Sequence, residues 1–285
     1  MTIADISLPR NAATPMPPIA FIGGGNMASA IIGGMIRQGT PGSTFEVVEP
    51  FDEARARLAN EFGIAALTEA GPTIARCAIV VWAVKPQTFA DAVKPVRAFA
   101  PNALHLSVAA GITSDSIARW LGSERIVRAM PNTPALVGQG MTGLFARPAT
   151  NSEDRALVAQ LLAPTGELLW VEVESALDAV TAMSGSGPAY VFYFIEAMTE
   201  AGVEMGLPPD QAQRLAVGTF TGASALANSA TEAPSVLRQR VTSKGGTTYA
   251  AIASLEAADV KAKFKTAILA ARKRAAELGE EFGNT

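Results

Sequence analysis

Two hydrophobic periods divide the chain. Up to about Val171, short apolar runs alternate with longer stretches of mixed polarity; from Ala176 onward the apolar positions recur at helical spacing and no convincing strand is present. The runs Ile19–Ile22, Phe45–Val48, 64–67, 78–84, 104–108, Ile126–Met130, 141–145 and 168–171 predict strands. The unbroken run 78–84 is typical of a parallel strand covered on both faces. Between the runs lie amphipathic stretches. One carries Ile31, Ile32, Met35 and Ile36, one covers 52–62 with Asp52 as its cap and Gly63 as its stop, and one covers 153–162. This alternation predicts an α/β fold, a doubly wound sheet over residues 18–172, followed by an all-helical domain over 173–285. Residues 1–17 hold prolines and polar breaks in place of a continuous apolar core, which predicts a disordered leader and not a secretory signal.

The helical half has an unusual distribution of apolar groups. Residues 189–195 are apolar around nearly the full circumference of a helix, whereas a helix on a monomer's surface shows a polar face. A second helix, 209–228, contains Gly218, Gly222, Ala223, Ser224 and Ala225, small residues that allow close helix crossing. A last helix, 259–278, carries Phe264, Ile268 and Ala271 on one face and charges on the other. Together they predict an intertwined homo-oligomer of at least two chains.

Composition narrows the chemistry. The chain of 285 residues is 49% hydrophobic and 17% charged, enough for a sizeable core, and its net charge of −3 offers no basic stripe for nucleic acid or an anionic membrane. One cysteine (Cys77) and one histidine (His105) cannot assemble a disulfide framework, a zinc site or an iron–sulfur centre, and a reducing cytoplasmic setting fits them. No apolar run approaches the length of a membrane span. His105 lies inside a predicted strand and reads as a packed, hydrogen-bonded core residue.

Candidate chemistry begins where the first strand ends. Gly23, Gly24, Gly25, Asn26, Met27 and Ala28 form a G-x-G-x-x-A turn into a helix. Gly23 would permit the tight turn, Gly25 would leave no Cβ between the backbone and a pyrophosphate, and Ala28 would keep the helix close to the strand. Glu49 ends the next strand, where a carboxylate accepts hydrogen bonds from a ribose 2′-hydroxyl and repels a 2′-phosphate; this hints at NADH, with Arg55 and Arg57 nearby weakening the argument. Ala83, Val84, Lys85 and Pro86 follow the third strand and would border a dinucleotide from the far side, Lys85 being equally readable as a surface lysine. Ala109, Ala110 and Gly111 are small enough to let a flat ring approach the backbone. Asn132 and Thr133, bracketed by prolines, either face a ligand or serve their own turn. In the helical half, Ser243, Lys244, Gly245, Gly246, Thr247 and Thr248 open a helix with several backbone N–H groups and hydroxyls, a nest suited to a carboxylate; a plain Gly-Gly linker is the alternative. A second dense loop, Ser184 to Pro188, could cradle the same ligand, with Pro188 as the first residue of the following helix.

The motifs GGGNMA, AVKPQ, AAG, MPNTP, SGSGPAY and SKGGTT, in this order across most of the chain, resemble the pyrroline-5-carboxylate reductase family. The resemblance implies a Rossmann domain, a helical dimerisation domain, dimers often assembled into a decamer, and reduction of 1-pyrroline-5-carboxylate to L-proline with NADPH or NADH. By matching position it assigns cofactor to residues 23–27, 83–86 and 109–111, and substrate to Asn132, Thr133, Ser243 and Gly245 through Thr248. Thr248 is then the side chain expected to hydrogen-bond the substrate, with the nest supplied by this chain or by a partner subunit. Two positions depart from the family: Lys244 stands where Pro is usual, and Thr231, beside Glu232, stands where glutamate is frequent. A β-hydroxyacid dehydrogenase would use a lysine just past the domain boundary, and no lysine occurs between Lys94 and Lys244. A protein that binds the dinucleotide without turnover is the remaining alternative class.

Overall fold

The computed structural model describes residues 16–283. The expected leader lies outside them except for Met16, which packs against the core, and Pro17. Seven strands form one sheet: β1 (Ile19–Ile22), β2 (Phe45–Val48), β3 (Ile79–Trp82), β4 (Leu104–Ser107), β5 (Ile126–Met130), β6 (Gly140–Ala146) and β7 (Gly166–Trp170), in the order β2-β1-β3-β4-β5-β6-β7. The first five run parallel, joined by crossovers through α1 (Asn26–Arg37), α2 (Asp52–Phe62), α3 (Phe89–Val96) and α4 (Ser114–Leu121). Successive β1 side chains point to opposite faces. Ile19 and Phe21 pack with Ile31, Ile32 and Leu58, while Ala20 and Ile22 pack with the layer holding Phe89, Val93 and Ile117. Both faces are covered, as the unbroken apolar runs require.

The sheet departs from the expected pattern at its far edge. β6 is antiparallel to β5, because residues 131–139 contain only a 3-10 turn, Thr133–Val137; a parallel return needs a crossover of about a dozen residues or more. β7 then pairs parallel with β6 after α5 (Ser152–Leu162). The strand expected at 64–67 is reduced to a single bridge between Val48 and Leu67. Asp52 does not cap α2: Phe51 holds that position, and Asp52 is the first helical residue, where its carboxylate pairs with Arg55. Gly63 does end the helix, at φ +66°.

After Trp170 the chain is helical. α6 (Ala176–Val180) runs through a π-turn, Thr181–Gly185, into α7 (Gly187–Glu204); α8 (Pro209–Ser229), α9 (Pro234–Arg240), α10 (Thr247–Ala257) and α11 (Val260–Gly283) follow. The segment expected as a loop at 184–188 is therefore nearly all helix, with Pro188 one residue inside α7. α7 crosses α8 closely at Gly202, where a Cβ would lie 2.8 Å from the Ala212 Cβ. Gly218 and Gly222, the small residues expected at a crossing, face open space in a single chain. Phe192 and Tyr193 are 63% and 68% exposed, and Leu215, Leu226 and Leu269 are exposed as well. Among the described residues, no helix is long and apolar enough to cross a membrane.

Candidate functional site

At the carboxyl edge of the sheet, β2 lies on one side of β1 and β3 on the other, so the loops after β1 and β3 diverge around a crevice. The glycine turn occupies its floor. Gly23 sits at φ +96° and its Cα is so close to β3 that a Cβ would come within 2.6 Å of the Ala83 carbonyl oxygen. Gly25 is the opposite case: nothing lies within 4 Å of where its Cβ would be. Gly25 is also the N-cap of α1 and supplies no side-chain acceptor, so the helix opens towards that free space with its N–H groups uncapped by side chains. A pyrophosphate fits such a cradle.

Glu49 is 5% exposed and organises the cradle from beneath. One carboxylate oxygen accepts from the Gly24 N–H at 2.7 Å and the other from the Phe51 N–H at 3.0 Å. The expected ribose acceptor is thus first a brace that holds the glycine turn to the end of β2. Arg55 donates to the Glu49 and Pro50 carbonyls and pairs with Asp52, and Arg57 donates to the Gly24 carbonyl at 3.2 Å. Opposite, Lys85 is exposed and Ala83 and Val84 are half-buried at the end of β3. Ala109 is buried, and Gly111 is half-buried with α11 packed where a side chain would project. Its φ is +71°, and a Cβ there would meet Leu278 at 3.1 Å and Phe282 at 3.3 Å in α11.

The turn after β5 faces the helical domain. The Asn132 side-chain oxygen accepts from the Met141 N–H at 2.9 Å, and its Nδ2 donates to the Ser184 carbonyl at 3.0 Å. The side chain read as a ligand contact therefore ties β5, β6 and the π-turn together, while still lining a cavity of about 470 Å³ with Pro134, Met183, Ser184, Tyr190, Phe264 and Ile268. Thr133 is exposed at the start of the 3-10 turn. The cavity wall is apolar, and its tyrosine is committed: Tyr190 donates its hydroxyl proton to the Ala182 carbonyl at 3.1 Å. Tyr190 and Phe264 meet edge to face.

Residues 243–248 are not part of that wall. The Gly246 N–H donates to the Ser243 carbonyl at 3.0 Å, Gly245 takes φ +74°, and Gly246 caps α10 without a side-chain acceptor, so a tight turn leads into an open helix start. Ser243, Lys244, Gly245 and Thr247 are exposed; Gly246 and Thr248 are half-buried. Glu232 pairs with Arg240 at the base of this turn.

His105 is 1% exposed in β4, and its Nδ1 accepts from Trp82 Nε1 at 3.3 Å. Burial, reinforced by the Arg125 guanidinium, pushes its pKa down from 6.5 to about 4, so it is a neutral core residue remote from acid–base work. Sequence reasoning missed a polar cluster at the domain junction in which Glu174 binds Ser114 and Arg128. An acid shortly after the last strand was the only signal for it.

An uncapped glycine turn at the switch point of a doubly wound sheet, followed by a helical domain flanking the carboxyl edge, is the architecture of two-part dinucleotide-binding proteins. Comparison with known proteins agrees and goes further. Residues 18–111 match the model described as NADP oxidoreductase coenzyme F420-dependent, and residues 174–278 match pyrroline-5-carboxylate reductase dimerisation. A Pseudomonas aeruginosa pyrroline-5-carboxylate reductase is 44% identical, over 94% of this chain and 98% of that protein. A Coxiella burnetii pyrroline-5-carboxylate reductase superposes with a TM-score of 0.86 at 35% identity, covering 92% of this chain and 98% of that one. A Plasmodium falciparum pyrroline carboxylate reductase crystallised with NADP bound gives a TM-score of 0.83 at 27% identity, covering 93% and 99%. This chain belongs to the pyrroline-5-carboxylate reductase family.

Proposed function

We propose that this chain reduces 1-pyrroline-5-carboxylate to L-proline, the last step of proline biosynthesis, with hydride from NADH or NADPH. The observation that carries the reading is the pairing of an empty-faced glycine cradle with an apolar cavity at the foot of the helical domain. Bound nicotinamide supplies the hydride. Residues 23–27 hold the pyrophosphate on the α1 N-terminus, Ala83 to Pro86 border the dinucleotide, and Ala109 to Gly111 set the floor beneath it. The apolar wall of Met183, Tyr190 and Phe264, once covered by the partner copy, would exclude water from the reacting carbon.

When the imine carbon takes hydride, the C=N π pair moves onto nitrogen, and the carbon is strongly electrophilic only if that nitrogen already carries a proton. None of the side chains lining the cavity is a free acid, so the substrate enters as the iminium protonated by solvent. The substrate carboxylate is gripped by N–H groups of residues 243–248 and by the Thr248 hydroxyl. Because this turn stands outside the cavity of its own chain, the grip comes from the partner copy of a homodimer, with a decamer of dimers as the higher assembly and a cytoplasmic setting.

The Glu49 charge beneath the turn favours NADH, and Arg55 is already occupied by two carbonyls and Asp52. The test is loss of nicotinamide absorbance on adding 1-pyrroline-5-carboxylate, with kcat/KM measured for both cofactors. Rapid turnover with the larger kcat/KM for NADH is expected. Cofactor binding without turnover would establish a dinucleotide-binding protein instead, and a strong NADPH preference would leave Glu49 as a brace alone.

A further inference from the structure

We propose that Glu174 is a positioning residue for the cofactor, a role that rests on the reading above: it lets the helical domain set where the Ala109 to Gly111 segment lies. Glu174 belongs to the chain entering α6, and its carboxylate reaches back across the junction. One oxygen accepts from the Ser114 N–H at 2.5 Å and from Arg128 Nη1 at 2.6 Å; the other accepts from the Ser114 hydroxyl at 2.6 Å.

Each partner ties Glu174 to a wall of the site. Ser114 is the first residue of α4, and only Ile112, fully buried, and Thr113 separate it from Gly111. The Thr113 side chain caps the Ser116 N–H, so it does not serve the Ser114 N–H, which Glu174 takes with the favourable sign for a carboxylate at a helix start. Arg128 lies in β5, which leads directly into the Asn132 turn, and its side chain is nearly buried. Removing Glu174 breaks the Arg128 ion pair and leaves Asp178 as the remaining carboxylate near that guanidinium.

The last turns of the same helical domain hold the segment from the other side. Leu278 and Phe282 abut Gly111, while Arg119 Nη2 donates to the Gly283 carbonyl at 2.6 Å. The loop after β4 is thus held by the opening of the helical domain and by the last described turns of α11. Arg147 also donates to the Ser114 hydroxyl at 3.0 Å and pairs with Asp115 and Glu124, which anchors the cluster to the rim of the sheet.

Hydride transfer is sensitive to small displacements of the donor, so a loosened segment costs cofactor affinity and turnover more than it costs imine recognition. In the full-length enzyme, Glu174→Ala is expected to raise the NADH dissociation constant, read by nicotinamide fluorescence, by about tenfold and to lower kcat, with the KM for the imine changed by less than about twofold. Glu174→Gln, which keeps the acceptor for Ser114, should recover much of that loss. Ser114→Ala is the milder variant if Glu174→Ala does not fold, with an expected weakening of about threefold. A lower melting temperature with unchanged cofactor affinity and kcat in these variants would overturn the proposal and assign Glu174 to stability alone. Absence of imine reduction by the wild-type enzyme would instead refute the proposed reaction, while the cofactor affinities would still decide the role of Glu174.

Discussion

In β1 and β3 every side chain is buried, whereas the equally unbroken apolar run 189–195 of α7 leaves Phe192 and Tyr193 mostly uncovered. The sheet domain closes its core within one chain because helices cover both faces of a parallel sheet. Past the junction residues Leu177 and Ala182, the described residues of α7 to α11 bury only Gly202, Ala212, Ala216 and Ala275, all small. One half is a finished fold and the other is half of an interface, which agrees with the dimerisation model matched by residues 174–278. Hydrophobicity alone does not separate these cases; what separates them is whether the complementary surface lies on the same chain.

The most damaging test of this contrast is a charge on the open face. Tyr193→Glu, at an exposed position outside the cavity wall, is expected to dissociate the oligomer in sedimentation velocity and to cut kcat/KM by more than about 100-fold. The sheet domain should remain folded and keep its cofactor affinity. A variant that stayed dimeric and active would show that this face is not the interface.

Acid should strike the other half first. His105 has a folded pKa of about 4 against 6.5 unfolded, so the unfolded chain binds the extra proton. Its contribution is intact above 6.5 and is lost as the pH falls towards 4, reaching about 3 kcal/mol. Urea midpoints measured between pH 7.5 and pH 4 should fall more steeply for the wild type than for His105→Gln; parallel curves would mean that the imidazole is not held neutral.

Thr248→Ala should lower kcat/KM by the equivalent of about 1–3 kcal/mol, with the oligomer unchanged by sedimentation. Unaltered kinetics would remove the hydroxyl from the substrate grip. The smallest effect is expected at Lys244, the second residue of the Ser243 turn, where proline pre-sets the backbone. Lys244→Pro should raise stability by about 0.4–1 kcal/mol in thermal unfolding and leave the imine KM within about twofold, whereas a large rise in KM would give the ammonium group a role in binding.

The parallel strands, the glycine turn and the change to helices after the last strand were legible because each is written in local periodicity and turn chemistry, and β1, β2 and β5 fall on the residues that their apolar runs mark. The order of motifs was enough to indicate the family. The site was less legible. Asn132, Glu49 and Gly111 stand out in the sequence, yet what they touch is set by residues far away in it: Ser184, Gly24 and α11. The direction of β6, the π-turn at Thr181–Gly185 and the clasp of Glu174 on Ser114 and Arg128 were decided only by the tertiary structure. Periodicity states which side of an element is buried, but a hydrogen bond between residues sixty positions apart exists only once packing has brought them together.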